Sequence, residues 1–196
     1  MGRTLLGGIL GGIAMWFVGF VFWGTPLNRI ALSVAPDSAN AALQAALAQQ
    51  LGPTGTGVYA VPWSGTQMGS SLYAQGPVAM IHYNASGFPV VDSAALIGGL
   101  VLSIIVALLI AFAVRGVAGA LDFGGRLTLI GLTALAVAAY IDLGQPVFNH
   151  APWRYFIYLF VSDVASFVAA GAVIAALLPR VVPAVVASAP VGSEQL

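Results

Sequence analysis

One carboxylate stands in YLFVSDVASF, residues 158–167, inside an apolar run from Tyr155 to Leu178 that carries no other charge. Asp163 lies ten residues past Trp153, about 15 Å along a helix and so near the middle of a hydrocarbon layer about 30 Å thick. An ionised Asp facing lipid at that depth costs about 2.5–3.5 kcal/mol, so the side chain is expected to face other helices. Counting inward along the other apolar runs brings Ser103 and Thr133 to nearly the same height, and Ser166 follows Asp163 by three residues on its own run. A cluster of Asp163, Ser103, Thr133 and Ser166 can do one of two things. It can clasp neighbouring helices through a neutral acid donating to a hydroxyl or carbonyl, or it can hold an exchangeable proton or cation. No Arg or Lys occurs at that depth as a partner, and the clasp, sealed from water by Ser103 and Thr133, is the expected arrangement.

A second polar group comprises Asp142, Gln145, Asn149, His150 and Arg154, with His82 and Asp92 as further candidates. A metal site of His82, His150 and Asp142 or Asp92 would need ligands far apart in sequence without recognisable spacing. A serine hydrolase would need a nucleophile elbow of the form G-x-S-x-G, which is missing. The expectation is therefore no catalytic residue, no metal and no cofactor, with Asp142, His150 and Arg154 forming a polar belt in which Arg154 pairs with Asp142 near lipid headgroups.

The elements that must position these groups follow from composition. Of 196 residues, 60% are hydrophobic and 6% charged, against about a quarter charged in soluble domains; the mean hydropathy is +0.98. Six Arg, no Lys, five Asp and one Glu give no net charge, which leaves nothing to attract nucleic acid. The absence of Cys excludes disulfides and thiolate chemistry.

Four runs are long enough to span a bilayer: Leu5 to Thr25, Ser93 to Val114, Leu127 to Gln145 and Tyr155 to Leu178. The first exceeds the usual apolar length of a secretory signal, so a retained helix is expected. Arg3, Arg115, Arg126 and Arg180 fall on one side and Arg29 and Arg154 on the other, so the positive-inside rule places both termini in the cytoplasm. The expected layout is an all-α transmembrane four-helix bundle. Its parts are a first helix over 1–26, an extracytoplasmic α+β cap over 27–92, helices over 93–114, 127–145 and 155–178, a cytoplasmic turn over 115–126, an outer loop over 146–154 and a mobile cytoplasmic tail over 179–196. Within the cap, PDSANAALQAALAQQLG predicts a helix with Leu43, Leu47 and Leu51 on one stripe. GVYAVPW and GPVAMIHY predict a short antiparallel ribbon whose faces alternate Val78, Met80, His82 against Ala79, Ile81, Tyr83.

GVYAVP, GPVAMIHY and an Asp-bearing last helix entered through WRYF resemble a family of uncharacterised bacterial four-helix inner-membrane proteins. The resemblance covers most of residues 1–180 and implies a layout, with no activity to carry over. The topology is also similar to that of claudins, but the paired cysteines of the claudin loop are missing here.

In LLGGILGGIAMW, Gly7 with Gly11 and Gly8 with Gly12 form two overlapping G-x-x-x-G pairs, which let a partner helix approach closely. That partner is either within the chain or in another subunit. With packing features plentiful and catalytic motifs missing, the expected function is non-enzymatic. The chain reads as an accessory or interaction subunit in the lipid bilayer of a bacterial inner membrane, packing as a homo-oligomer or in a larger membrane complex. The alternative is a small proton- or cation-linked transporter or channel using Asp163.

Overall fold

The computed structural model describes residues 1–179; of the tail expected over 179–196, all but the first residue lies outside the described residues. Two units can be told apart: Met1–Leu32 with the chain from Ser93 onward, and Ser33–Asp92.

The first unit is helical. Helix α1 runs from Gly2 to Trp23 and ends at Gly24, after which the Thr25 side chain caps a 3₁₀ turn, Pro26–Ile30. In the second unit, α2 spans Asp37–Leu51, β1 Gly57–Val61, α3 Gln67–Gln75 and β2 Ala79–Tyr83. The chain then returns to the first unit through α4 (Ser93–Arg115) and α5 (Phe123–Ala138), which Asp122 opens by accepting from the Gly125 N–H at 2.7 Å. A π-helical turn, Ala139–Leu143, leads directly into α6 (Gly144–Asn149), and α7 covers Trp153–Leu177. Four stretches are long and apolar enough to cross a membrane: α1, α4, the continuous helix Phe123–Asn149, and α7. The chain is an integral membrane protein on that ground. Large side chains such as Leu5, Ile9, Phe17, Ile97, Leu109 and Leu132 point away from the protein, as they do where lipid is the solvent.

Helix α1 is the centre of the packing: it lies along α4 on one side and α7 on the other, α5 packs on α7, and α4 barely meets α5. The glycine pairs explain this. Gly8 and Gly12 face α4, where an added Cβ would sit 2.9 Å from the Leu108 Cα and would overlap the Ile104 Cα. Gly7 and Gly11 face α7; at Gly11 the Cβ would be 3.1 Å from Ile174 Cγ1 and 3.2 Å from the Ala170 carbonyl. Both G-x-x-x-G faces are thus occupied within the chain, one by each neighbour, and dispersion across these close contacts takes the place of a hydrophobic drive that lipid cannot supply. Ala107, Ala111, Ala170 and Ile174 fill the seam and are fully buried.

The third apolar run differs from the sequence expectation in a way that matters for the site. Pro146 reads as the start of a loop, yet it is buried inside a helical turn and the helix continues to Asn149. Proline cannot donate to the carbonyl four residues back and crowds it. Here that carbonyl belongs to Asp142, and the turn around it has widened to π geometry rather than breaking.

In the Ser33–Asp92 unit, β1 and β2 pair antiparallel with Gly57 opposite Tyr83 and Val61 opposite Ala79. Ile81 and Tyr83 are the half-buried side chains of β2, whereas Met80 and His82 are exposed. Tyr59 meets Tyr83 edge to face at 6.3 Å. The α2 stripe rests only in part: Leu47, with Gln44 and Ala48, borders a groove against Ile81 and Tyr83, while Leu43 is exposed. Helix α3, between the strands, is absent from the sequence expectation; the Thr66 hydroxyl caps it by accepting from the Gly69 N–H at 3.0 Å.

Candidate functional site

The π-turn positions the key group. Because the helix runs on to Asn149, Asp142 sits about 10 Å from that end, and Asp163 sits about 15 Å from the neighbouring start of antiparallel α7. The π-turn that carries Asp142 packs against α7, the helix that carries Asp163. Asp142 is 4% exposed and its Oδ2 has no hydrogen-bond partner. Asp163 is half-buried.

Asp163 borders a groove of about 540 Å³ between α1, α4 and α7, which Trp16, Phe20, Trp23, Ser103 and Ser166 also line. Its walls are held by hydrogen bonds that consume the indole donors. Trp16 Nε1 donates to the Leu96 carbonyl at 3.1 Å, and Trp23 Nε1 donates to Ser162 Oγ at 3.0 Å. Trp16 stacks on Phe20 at 5.6 Å, and Trp23 meets Tyr158 edge to face at 5.2 Å. Tyr158 in turn donates to the Phe22 carbonyl at 2.6 Å, tying α7 to the end of α1.

The expected cluster is therefore only partly assembled. Ser103 and Ser166 share the groove with Asp163, but Thr133 does not; it lines a separate apolar cavity of about 390 Å³ with Ile110, Val114 and Ile130. Counting residues fixes height along a helix, not the direction a side chain faces, and Thr133 faces the gap between α4 and α5. Nor do the hydroxyls seal Asp163. Ser103 Oγ donates to the Gly99 carbonyl and Thr133 Oγ1 to the Leu129 carbonyl, each on its own helix at 2.8 Å.

The expected polar belt is corrected as well. Arg154 does not pair with Asp142; its guanidinium donates to the carbonyls of Ile30 and Arg29, closing the end of the 3₁₀ turn. His150 is exposed and holds the left-handed conformation that ends α6. Among the described residues, no three His, Asp or Glu side chains gather as a metal site would require.

One residue of consequence escaped the sequence reading. Arg126, read there only as a flanking positive charge, is 1% exposed. Its Nε donates to Leu121 O at 3.0 Å, Nη1 to Ala175 O and Leu178 O at 3.2 and 2.8 Å, and Nη2 to Ala118 O and Pro179 O at 2.5 and 2.8 Å. The guanidinium offers five N–H donors, and five carbonyls receive them, among them those left open where α7 ends. A cation at a helix C-terminus also complements the helix dipole. The signal that could have found it is its place directly before the third apolar run, where the helix begins. No protein-family model, curated protein or solved structure matches this chain.

Proposed function

We propose that this chain is a small proton-linked membrane carrier in which Asp142 and Asp163 take up and release a proton between them. The observation that carries the reading is the buried Asp142 Oδ2, unpartnered on a π-turn packed against the helix that bears Asp163. Two negative charges on packed elements in a medium of low dielectric cost more than one charge and one proton, so in this reading the pair is a place where a proton is gained and lost. A π-turn at that point fits, since such turns recur at functional sites. In this reading the four helices form a bundle across a bacterial inner membrane with both termini cytoplasmic, and the Ser33–Asp92 unit is an extracytoplasmic cap.

The test uses purified full-length protein in liposomes with an imposed pH gradient. Proton movement above that of protein-free vesicles, abolished by Asp163→Asn, supports the reading; equal rates for the parent and the variant contradict it.

A second reading, an accessory subunit, draws on the Ser33–Asp92 unit, where Trp63, Met80 and Phe88 are 68%, 63% and 71% exposed. In this reading these side chains form part of a contact surface for a partner, as contiguous exposed apolar patches do. The accessory reading predicts partners or further copies in mild-detergent purifications, and recovery solely as a monomer opposes it.

A further inference from the structure

The groove beside Asp163 has a composition that selects a ligand class. Two indoles and two phenyl rings line it, and a half-buried carboxylate stands at its wall. Three glycines border it as well, and two of them, Gly19 and Gly99, are unlike those of the α1 seam in not being required by helix contact. An added Cβ at Gly19 would meet only Ser166 Oγ at 3.9 Å, and one at Gly99 only the Trp16 ring, at 3.7 Å. Their missing side chains leave space rather than close it. Among the described residues, no Lys or Arg lines the groove.

We propose that this groove binds a lipophilic organic monocation, of the quaternary ammonium or phosphonium type, with the Asp163 carboxylate as its counter-ion and the rings of Trp16, Phe20 and Trp23 around its apolar substituents. Aromatic walls and a carboxylate together recognise a weakly hydrated cation through cation–π attraction and charge. A neutral ligand would leave the acid unused, and an anion would be repelled by it. A small hydrated metal ion would gain little from the indoles and lacks the several oxygen ligands it needs. The inference deepens the proton-linked reading and rests on it: the cation and the proton compete for Asp163, so that binding of one releases the other to solution.

The charged groups around Asp163 bear on that competition. Asp142 stands on the π-turn packed against α7, and α1 and α4 line the groove with uncharged residues. On α5, Arg126 is engaged by five carbonyls at the far end of α7, twelve residues and about 18 Å from Asp163. Among the described residues, nothing cationic lines the groove to neutralise Asp163 before a ligand does.

The probe is radiolabelled tetraphenylphosphonium, with the full-length protein in detergent and in liposomes. The expected result is saturable binding that weakens at least tenfold in Asp163→Asn and in Gly19→Leu, which fills the groove from a position with room for a side chain. Binding should also weaken as the pH falls. Binding unchanged in Asp163→Asn, or uptake no greater than partition into protein-free vesicles, overturns the proposal. If the Asp163-dependent proton movement persists while the phosphonium does not bind, the ligand assignment fails and the proton reading stands. If neither is seen, both fail.

Discussion

The helix from Phe123 to Asn149 buries two charged side chains, Arg126 and Asp142, and they are treated in opposite ways. Every donor of Arg126 is used, each on a backbone carbonyl; Asp142 keeps an oxygen with no partner. A buried charge with every bond made is a fastener, because moving it breaks several bonds at once. A buried acid with an open oxygen is a site whose state can change at little structural cost. The contrast separates the part of the protein that holds shape from the part that we assign to function.

The sharpest way to break the comparison is at Arg126. Arg126→Met keeps much of the apolar stem but orphans five carbonyls, and a buried acceptor left without its partner costs about 1–3 kcal/mol. Thermal unfolding in detergent should show a large loss of stability, and Arg126→Lys should recover only part of it, since an ammonium has three donors in place of five. An unchanged midpoint for Arg126→Met would remove the fastener from the account.

A smaller effect is expected where shape alone is at stake. Gly12→Val drives a branched side chain into the Ile104 backbone, at a cost of about 1–3 kcal/mol for overpacking. Gly98→Ala, whose Cβ meets nothing within 4 Å, should leave the unfolding midpoint unchanged or slightly raised. Equal behaviour of the two variants would mean that α1 and α4 do not meet as described.

These expectations mark what the sequence made legible. The four spans were readable because long apolar runs admit few alternatives, and the height of Asp163 followed from counting. The role of Asp142 did not, because Pro146 reads as a helix stop and so leaves Asp142 at a rim; the π-turn carries the helix past the proline and sets the acid a turn deeper. Thr133 was grouped with Asp163 by height alone, whereas it lines a different cavity; azimuth is the information that a count along one helix lacks. The α1 glycines announced close packing, but only coordinates could divide Gly8 and Gly12 toward α4 from Gly7 and Gly11 toward α7. Helix α3 was missed because QMGSSLYAQ is rich in residues that compete for backbone hydrogen bonds, and its cap at Thr66 had no apolar run behind it.

Asp142→Asn is expected to have the smallest effect on stability, under about 1 kcal/mol, because an oxygen without a bond has none to lose. The same variant tests the central claim most directly. Infrared difference spectra of the reconstituted protein, recorded while the pH is stepped across the range in which carboxyl groups exchange protons, should show a protonated carboxyl band that shifts in deuterium oxide. That band should change in both Asp142→Asn and Asp163→Asn. A band lost in Asp163→Asn and untouched in Asp142→Asn would contradict the shared proton, as would the absence of any pH-dependent carboxyl signal.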